Sequence, residues 1–201
     1  MPTSTFFRLP DEKRQRLLDA AWEEFSRASF ADASINRIIQ SARIPRGSFY
    51  QYFTDKTELF WYLLEGMHEY FAGMFLTALI DSGGDMFAVW VRVFDRVISR
   101  QGNPDPALAK LICLMRMNQG MDFQQSLTQK PGQIPDRFFN HANLDQFRQK
   151  DTTFVSNVFF LMVPPLACAL METLRSPEQW ELQRTNLQDR IEIIRHGALN
   201  L

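Results

Sequence analysis

A chain of 201 residues, 45% of them hydrophobic, is long enough for one large domain or two small ones. Its 22 basic and 23 acidic side chains nearly cancel, to a formal net charge of −1. That excludes a disordered polyelectrolyte and a uniformly basic coat for nucleic acid, but not a locally basic face. Cys113 and Cys168 lie far apart within apolar runs and are expected to be buried, reduced thiols. No charged stretch followed by an apolar one opens the sequence, so a cytoplasmic protein is expected.

The first helix is predicted over about 10–28. Asp11 and Glu12 suit its positive end, and Leu17, Leu18, Ala21, Trp22 and Phe25 form an inward stripe. Phe30 is expected to plug the loop that follows. Ser34 then reads as the N-cap of a second helix carrying Ile35, Ile38 and Ile39 at helical spacing. Ser41 to Ile44 is a break, and Pro45 suits the first position of a third helix, where its missing N–H is not needed. Phe49 and Phe53 are four apart and turn inward together. Arg46, Gly47, Ser48, Gln51 and Tyr52 fall on the other faces, with Tyr50 beside the apolar one. No acid occurs between Ala33 and Thr54, while Arg37, Arg43 and Arg46 do. Two short helices at a sharp turn, the second presenting basic and small polar residues, make a helix-turn-helix suited to a major groove. The expectation is a DNA-binding regulator.

Asp55-Lys56-Thr57-Glu58 fits a capping box opening a fourth helix, 56–80, with Leu59, Phe60, Leu63, Leu64, Met67 and Phe71 in its stripe. At 1.5 Å per residue it spans roughly 35 Å, which suits a connector into a second domain. Ser82-Gly83-Gly84 is a turn. Asp85 can cap a helix bearing Trp90, Val93 and Phe94, and Asp105-Pro106 opens another that Gly120 stops. The polar stretch 125–149, broken by Pro131, Gly132 and Pro135, reads as loop and short helix. Residues 152–171 are apolar enough to approach a membrane span. Their Thr152, Thr153, Ser156, Asn157 and Pro164-Pro165 favour a buried, kinked bundle helix instead. Ser176-Pro177 opens a last helix with Trp180, Leu187, Ile191 and Ile194, stopped by Gly197.

The segment from about Arg14 to Leu63 resembles the N-terminal domain of the tetracycline-repressor (TetR/AcrR-type) family. The resemblance rests on Leu17, Leu18, Ala21, Phe25, Phe30, Ser34, Ile38 and Ala42. Above all it rests on Arg46-Gly47-Ser48-Phe49-Tyr50-Gln51-Tyr52-Phe53, with Lys56 and Leu59 after it. Arg43 and Ile44 replace the family's usual Gly and aliphatic residue in the turn, and Pro45 replaces the usual Ser or Thr cap. The resemblance implies an all-α fold: an N-terminal three-helix DNA-binding domain, 1–55, and a C-terminal helical ligand-binding and dimerisation bundle, 56–201. It implies that Arg46 and Gln51 read bases while Ser34, Ser48, Tyr50, Tyr52 and Lys56 hold phosphates. Gly47 permits close backbone approach, and Asn36 and Arg37 are weaker candidates. Arg8, Lys13, Arg14 and Arg16 are solvated charges that in relatives can reach a phosphate. The implied partners are a palindromic double-stranded operator and a second copy of the chain, docked through Thr153–Leu174 and Pro177–His196. A small apolar or aromatic inducer is the third, in a pocket drawn from Trp90, Phe94, Met115, Met117, Phe159 and Met162.

No cofactor, metal set or catalytic group can be assembled. Glu65, His68 and Glu69 read as a surface cluster lacking a further His or Cys. Two other classes fit the residues: a helical ligand- or partner-binding protein whose head no longer binds DNA, and an all-α enzyme using the apolar cavity.

Overall fold

The computed structural model describes residues 1–118 and 136–198. Ten α-helices occur among them: α1 (Ser4–Phe7), α2 (Asp11–Arg27), α3 (Ile35–Ala42), α4 (Arg46–Tyr52), α5 (Lys56–Asp81), α6 (Ala88–Val97), α7 (Pro106–Met117), α8 (Asp136–Phe139), α9 (Thr152–Arg175) and α10 (Trp180–Ala198). Two short 3-10 turns, Leu144–Gln146 and Pro177–Gln179, complete the described order. The fold is all-α, as the pattern predicted. The breaks expected at Gly120, Pro131, Gly132 and Pro135 lie outside the described residues.

The chain divides into two compact units that do not follow chain order. The first takes residues 1–69 and, among the described residues further on, 106–118; the second takes 70–105 and 136–198.

In the first unit, Leu17, Ala21, Phe25, Ile38, Phe49, Phe53, Leu59 and Phe60 form one buried cluster. Phe30 plugs its loop as expected: its ring stacks 6.3 Å from Phe25 and sits 5.0 Å from Phe60. Two contributors have no local signal. Phe6 on α1 is buried against Phe53 and Tyr62, at 4.8 and 5.3 Å. Leu114 on α7 joins the same core from fifty residues downstream of Leu64. Just after it, buried Asn118 accepts the Phe30 N–H at 2.6 Å and donates to the Leu114 carbonyl at 2.8 Å. A carboxamide holding two backbone groups is how a loop can be pinned inside a core.

The start of α5 is capped much as its sequence predicts. Asp55 accepts the Glu58 N–H at 2.8 Å, but Glu58 reaches back to the Thr54 N–H, at 2.6 Å, one residue before the expected partner. Asp85 likewise accepts from the N–H groups of Phe87 and Ala88 ahead of α6. Gly84, at φ +85°, is fixed by crowding: an added Cβ would meet the His141 carbonyl at 2.6 Å.

In the second unit, Trp90, Phe94, Val97, Val155, Met162 and Leu187 are buried. Arg184 of α10 grips Asp95 of α6 with two hydrogen bonds of 2.6 and 2.8 Å. Four expectations fail among the described residues. Helix α9 is not a buried rod, since only a third of its most apolar window is covered within the chain. Cys113 and Cys168 are exposed rather than buried. A helix apolar on all sides gives no phase, so its outward face could not be told from its inward one. Gly197 does not stop α10, which continues through Ala198. Ser176 makes no side-chain cap bond ahead of Pro177.

Candidate nucleic-acid interface

Helices α3 and α4 are separated by three residues, Arg43, Ile44 and Pro45. Arg43 sits in the left-handed region at φ 55° and ψ 47°, the position where glycine is cheapest. The turn holds because the Ile44 N–H reaches the Ile39 carbonyl at 3.0 Å and the Arg43 N–H reaches Gln40 at 3.2 Å. Arg16 of α2 caps the same end, donating to the Ala42 carbonyl at 2.8 Å. Pro45 occupies the N-cap position of α4, with φ −62° and ψ 146°, one residue ahead of the first-turn place its chemistry suggested. It can offer no side-chain acceptor there.

Helix α4 buries Phe49 and Tyr52 and leaves Arg46, Gly47, Tyr50 and Gln51 exposed, with Ser48 half-buried. An added Cβ at Gly47 would meet nothing within 4 Å, so the folded chain itself does not require glycine there. The far end of α4 is held by the N-terminal segment. The Thr3 N–H donates to the Tyr52 carbonyl at 3.0 Å and the Thr3 hydroxyl to the Gln51 carbonyl at 2.5 Å. Both carbonyls belong to the last turn, which has no intrahelical donors left for them.

The expected contact residues divide into two groups. Asn36, Arg46, Gly47, Tyr50 and Gln51 are exposed together on α3 and α4, with Ser48 beside them. Ser34 stands at the N-cap position of α3, yet its hydroxyl makes no capping bond. The other group is engaged inside the head. Tyr52 is buried. Lys56 donates to the Ala31 and Ala33 carbonyls at 3.1 and 2.9 Å and lies 4.8 Å from the centre of the Phe30 ring. Arg37 is paired with Glu24.

Glu24 is the polar residue that sequence reasoning missed. It lies on α2, is only 2% exposed, and looks outward by composition because Glu23 precedes it. Arg37 Nε meets its carboxylate at 2.8 and 3.0 Å, Arg27 at 2.5 Å, and the Ser34 N–H at 2.7 Å. Burial on its own would raise this carboxyl, but the donors from Arg37, Arg27 and Ser34 outweigh it and hold it down to about 2. The acid thus ties α2 to the first turn of α3. With Arg37 tied to Glu24, Arg43 and Arg46 are the other basic side chains of this stretch, and no carboxylate lies within 34–53.

Residues 17–63 match the profile described as bacterial regulatory proteins of the tetR family. Over 67 residues the chain is 33% identical to the transcriptional regulator AcuR of Cereibacter sphaeroides, covering 33% of this chain and 31% of that protein. Over 72 residues it is 36% identical to the HTH-type transcriptional regulator YdgC of Bacillus subtilis, covering 36% and 37%. A TetR family transcriptional regulator from Chloroflexus aurantiacus aligns over the whole of both chains at 27% identity and a TM-score of 0.50. Residues 17–63 carry the tetR-family domain. The matches to the curated relatives span about a third of their length. The fold extends further. The regulatory protein TetR from Rhodobacter sphaeroides, 19% identical with a TM-score of 0.53, covers 92% of this chain and 98% of its own.

Proposed function

We propose that this chain is a sequence-specific DNA-binding transcriptional regulator, released from a palindromic operator by a small apolar or aromatic ligand. The observation that carries the reading is the exposed face of α3 and α4. It gathers Arg46, Gln51, Gly47, Asn36, Ser48 and Tyr50 where no acid opposes a phosphate. Arg46 can bridge the two acceptors of guanine and Gln51 can pair with adenine. In this reading Ser34, Ser48 and Tyr50 hold phosphates.

The outward faces of α9 and α10 support a homodimer. Leu161, Val163, Met171, Leu182 and Ile193 are exposed on these two helices, an apolar surface that a lone soluble chain rarely leaves uncovered. A dimer sets two heads on one duplex, so half-sites repeat about one helical turn or more apart. For the ligand, Trp90 and Phe159 lie 4.8 Å apart with Phe94 and Met162 buried in the same unit, and the buried Trp90 indole N–H has no acceptor among the described residues. Met115 and Met117 are exposed on α7, in the first unit, and support the pocket less. A ligand releases DNA only by binding the released state more tightly.

Selection of genomic fragments by the purified protein, across a salt series, tests the reading. The expected result is one palindromic site whose affinity falls as salt rises. Weak, sequence-blind binding would overturn it in favour of a head that has lost DNA. Two substitutions sharpen the result. Arg46→Ala is expected to cost roughly 1–3 kcal/mol at the selected site and relax one base position; unchanged affinity and preference would remove Arg46 from base reading. Gly47→Ala is expected to raise stability by about 0.5–1 kcal/mol, since α4 gains a better helix former in open space. It should nonetheless weaken operator binding, because the added methyl stands where the duplex backbone approaches. Thermal unfolding and a titration on the selected site, run on the same sample, separate the two effects.

A further inference from the structure

We propose that Asn36 is the positioning residue of the reading face, its carboxamide on α3 fixing the Arg46 guanidinium on α4 in the pose that meets a base. The proposal rests on the DNA-binding reading above. Arg46 Nη1 donates to Asn36 Oδ1 at 2.5 Å, across the turn and between two exposed residues.

The partner's chemistry is what gives this contact meaning. Four other arginines of the head are held by carboxylates: Arg14 by Asp11, Arg16 by Glu12, Arg27 and Arg37 by Glu24. In those pairs a carboxylate offsets positive charge as it orients it. Asn36 orients Arg46 through a neutral acceptor, so the full positive charge stays available to the duplex. A guanidinium carries five N–H donors in a fixed fork. One bond to Asn36 leaves four, and a two-point contact with guanine needs two. The Asn36 amide N–H groups stay free for a phosphate. Holding a long, flexible side chain before DNA arrives removes part of the ordering entropy that binding must otherwise supply.

Selection from randomised duplexes with the wild type, Asn36→Ala, Asn36→Asp, Arg46→Ala and the Asn36→Ala/Arg46→Ala double variant tests this, with thermal unfolding as the check on folding. Asn36→Ala is expected to weaken the best site roughly threefold to tenfold, the cost of ordering one free side chain on binding. It should flatten preference at the same base position as Arg46→Ala, and add nothing further on the Arg46→Ala background. Asn36→Asp keeps the acceptor but cancels the charge, so affinity should fall while preference at that position survives. Three results would overturn the proposal: a different base position flattened by Asn36→Ala, a loss that adds fully to that of Arg46→Ala, or no loss at all. A wild type that selects no site is a separate outcome, visible before any variant is made, and it overturns the DNA-binding reading together with this role.

Discussion

Replacing Glu24 with Ala is expected to destabilise the first unit by roughly 3 kcal/mol. Breaking a buried ion pair costs roughly 3–5 kcal/mol because the surviving partner is left uncompensated. Here the survivors are Arg27 and Arg37, whose side chains are 59% and 49% exposed and can turn to water, which sets the loss at the lower end. The Ser34 N–H also loses its acceptor, so the first turn of α3 should loosen and operator affinity should fall with stability. The pH dependence has a definite sign. The folded carboxyl titrates at about 2, below its ordinary 4.5. Its contribution is therefore fully present above about pH 4.5 and is lost as pH falls from there through 2. At 1.36 kcal/mol per pKa unit that contribution is about 3 kcal/mol, in agreement with the ion-pair argument. Urea unfolding at several pH values checks this: the gap between wild type and Glu24→Gln should be wide at pH 7 and close towards pH 2. A gap that stays constant would mean that the charge of Glu24 is not what stabilises the head.

The second large effect is expected at the exposed faces of α9 and α10. Leu161 is 61% exposed and Ile193 is 72% exposed, both unusual for such side chains in a lone chain. Leu161→Asp combined with Ile193→Asp should leave each chain folded, since neither side chain fills the core, while two carboxylates prevent the apolar faces from meeting. Light scattering at micromolar concentration should give twice the 23.5 kDa chain mass for the wild type and the single-chain mass for the variant. Operator affinity should then fall by roughly a hundredfold or more, because the second head no longer binds at the effective concentration its tether provides. A wild type that already scatters as a single chain, or a variant that still dimerises, would move the interface away from these helices.

What the sequence disclosed and what it hid follow from the range of the interactions. The local signals held. Asp55 and Asp85 cap the helices they precede, Phe49 and Phe53 turn inward together, and the acid-free stretch 34–53 forms an exposed basic face. The signals that failed depend on partners distant in sequence. A four-residue helix has too few turns to show a period, so α1 was invisible, although Phe6 is one of the fully buried residues of the core. Glu24 follows Glu23 on an amphipathic helix, and nothing nearby announces that Arg37, thirteen residues on, will cover it. Lys56 and Tyr52 carry residue types suited to phosphate, yet the carbonyls of Ala31 and Ala33 and the aromatic core take them first. In α9 the trouble is the reverse: every face is apolar, so the pattern could not say which one would be covered.

The arrival of α7 in the first unit has a consequence for synthesis and for transplantation. Leu114 and Asn118 complete a core whose other members lie within residues 6–64. On the ribosome the reading helices emerge well before the residues that seal their base, so the head stays open until α7 has been made. For the same reason a graft that moved only 1–55 onto another ligand-binding body would leave the Phe30 loop without its pin and a hole where Leu114 belongs. The portable module is discontinuous: residues 1–69 travel with 106–118, and a chimera that respects that seam inherits a closed core.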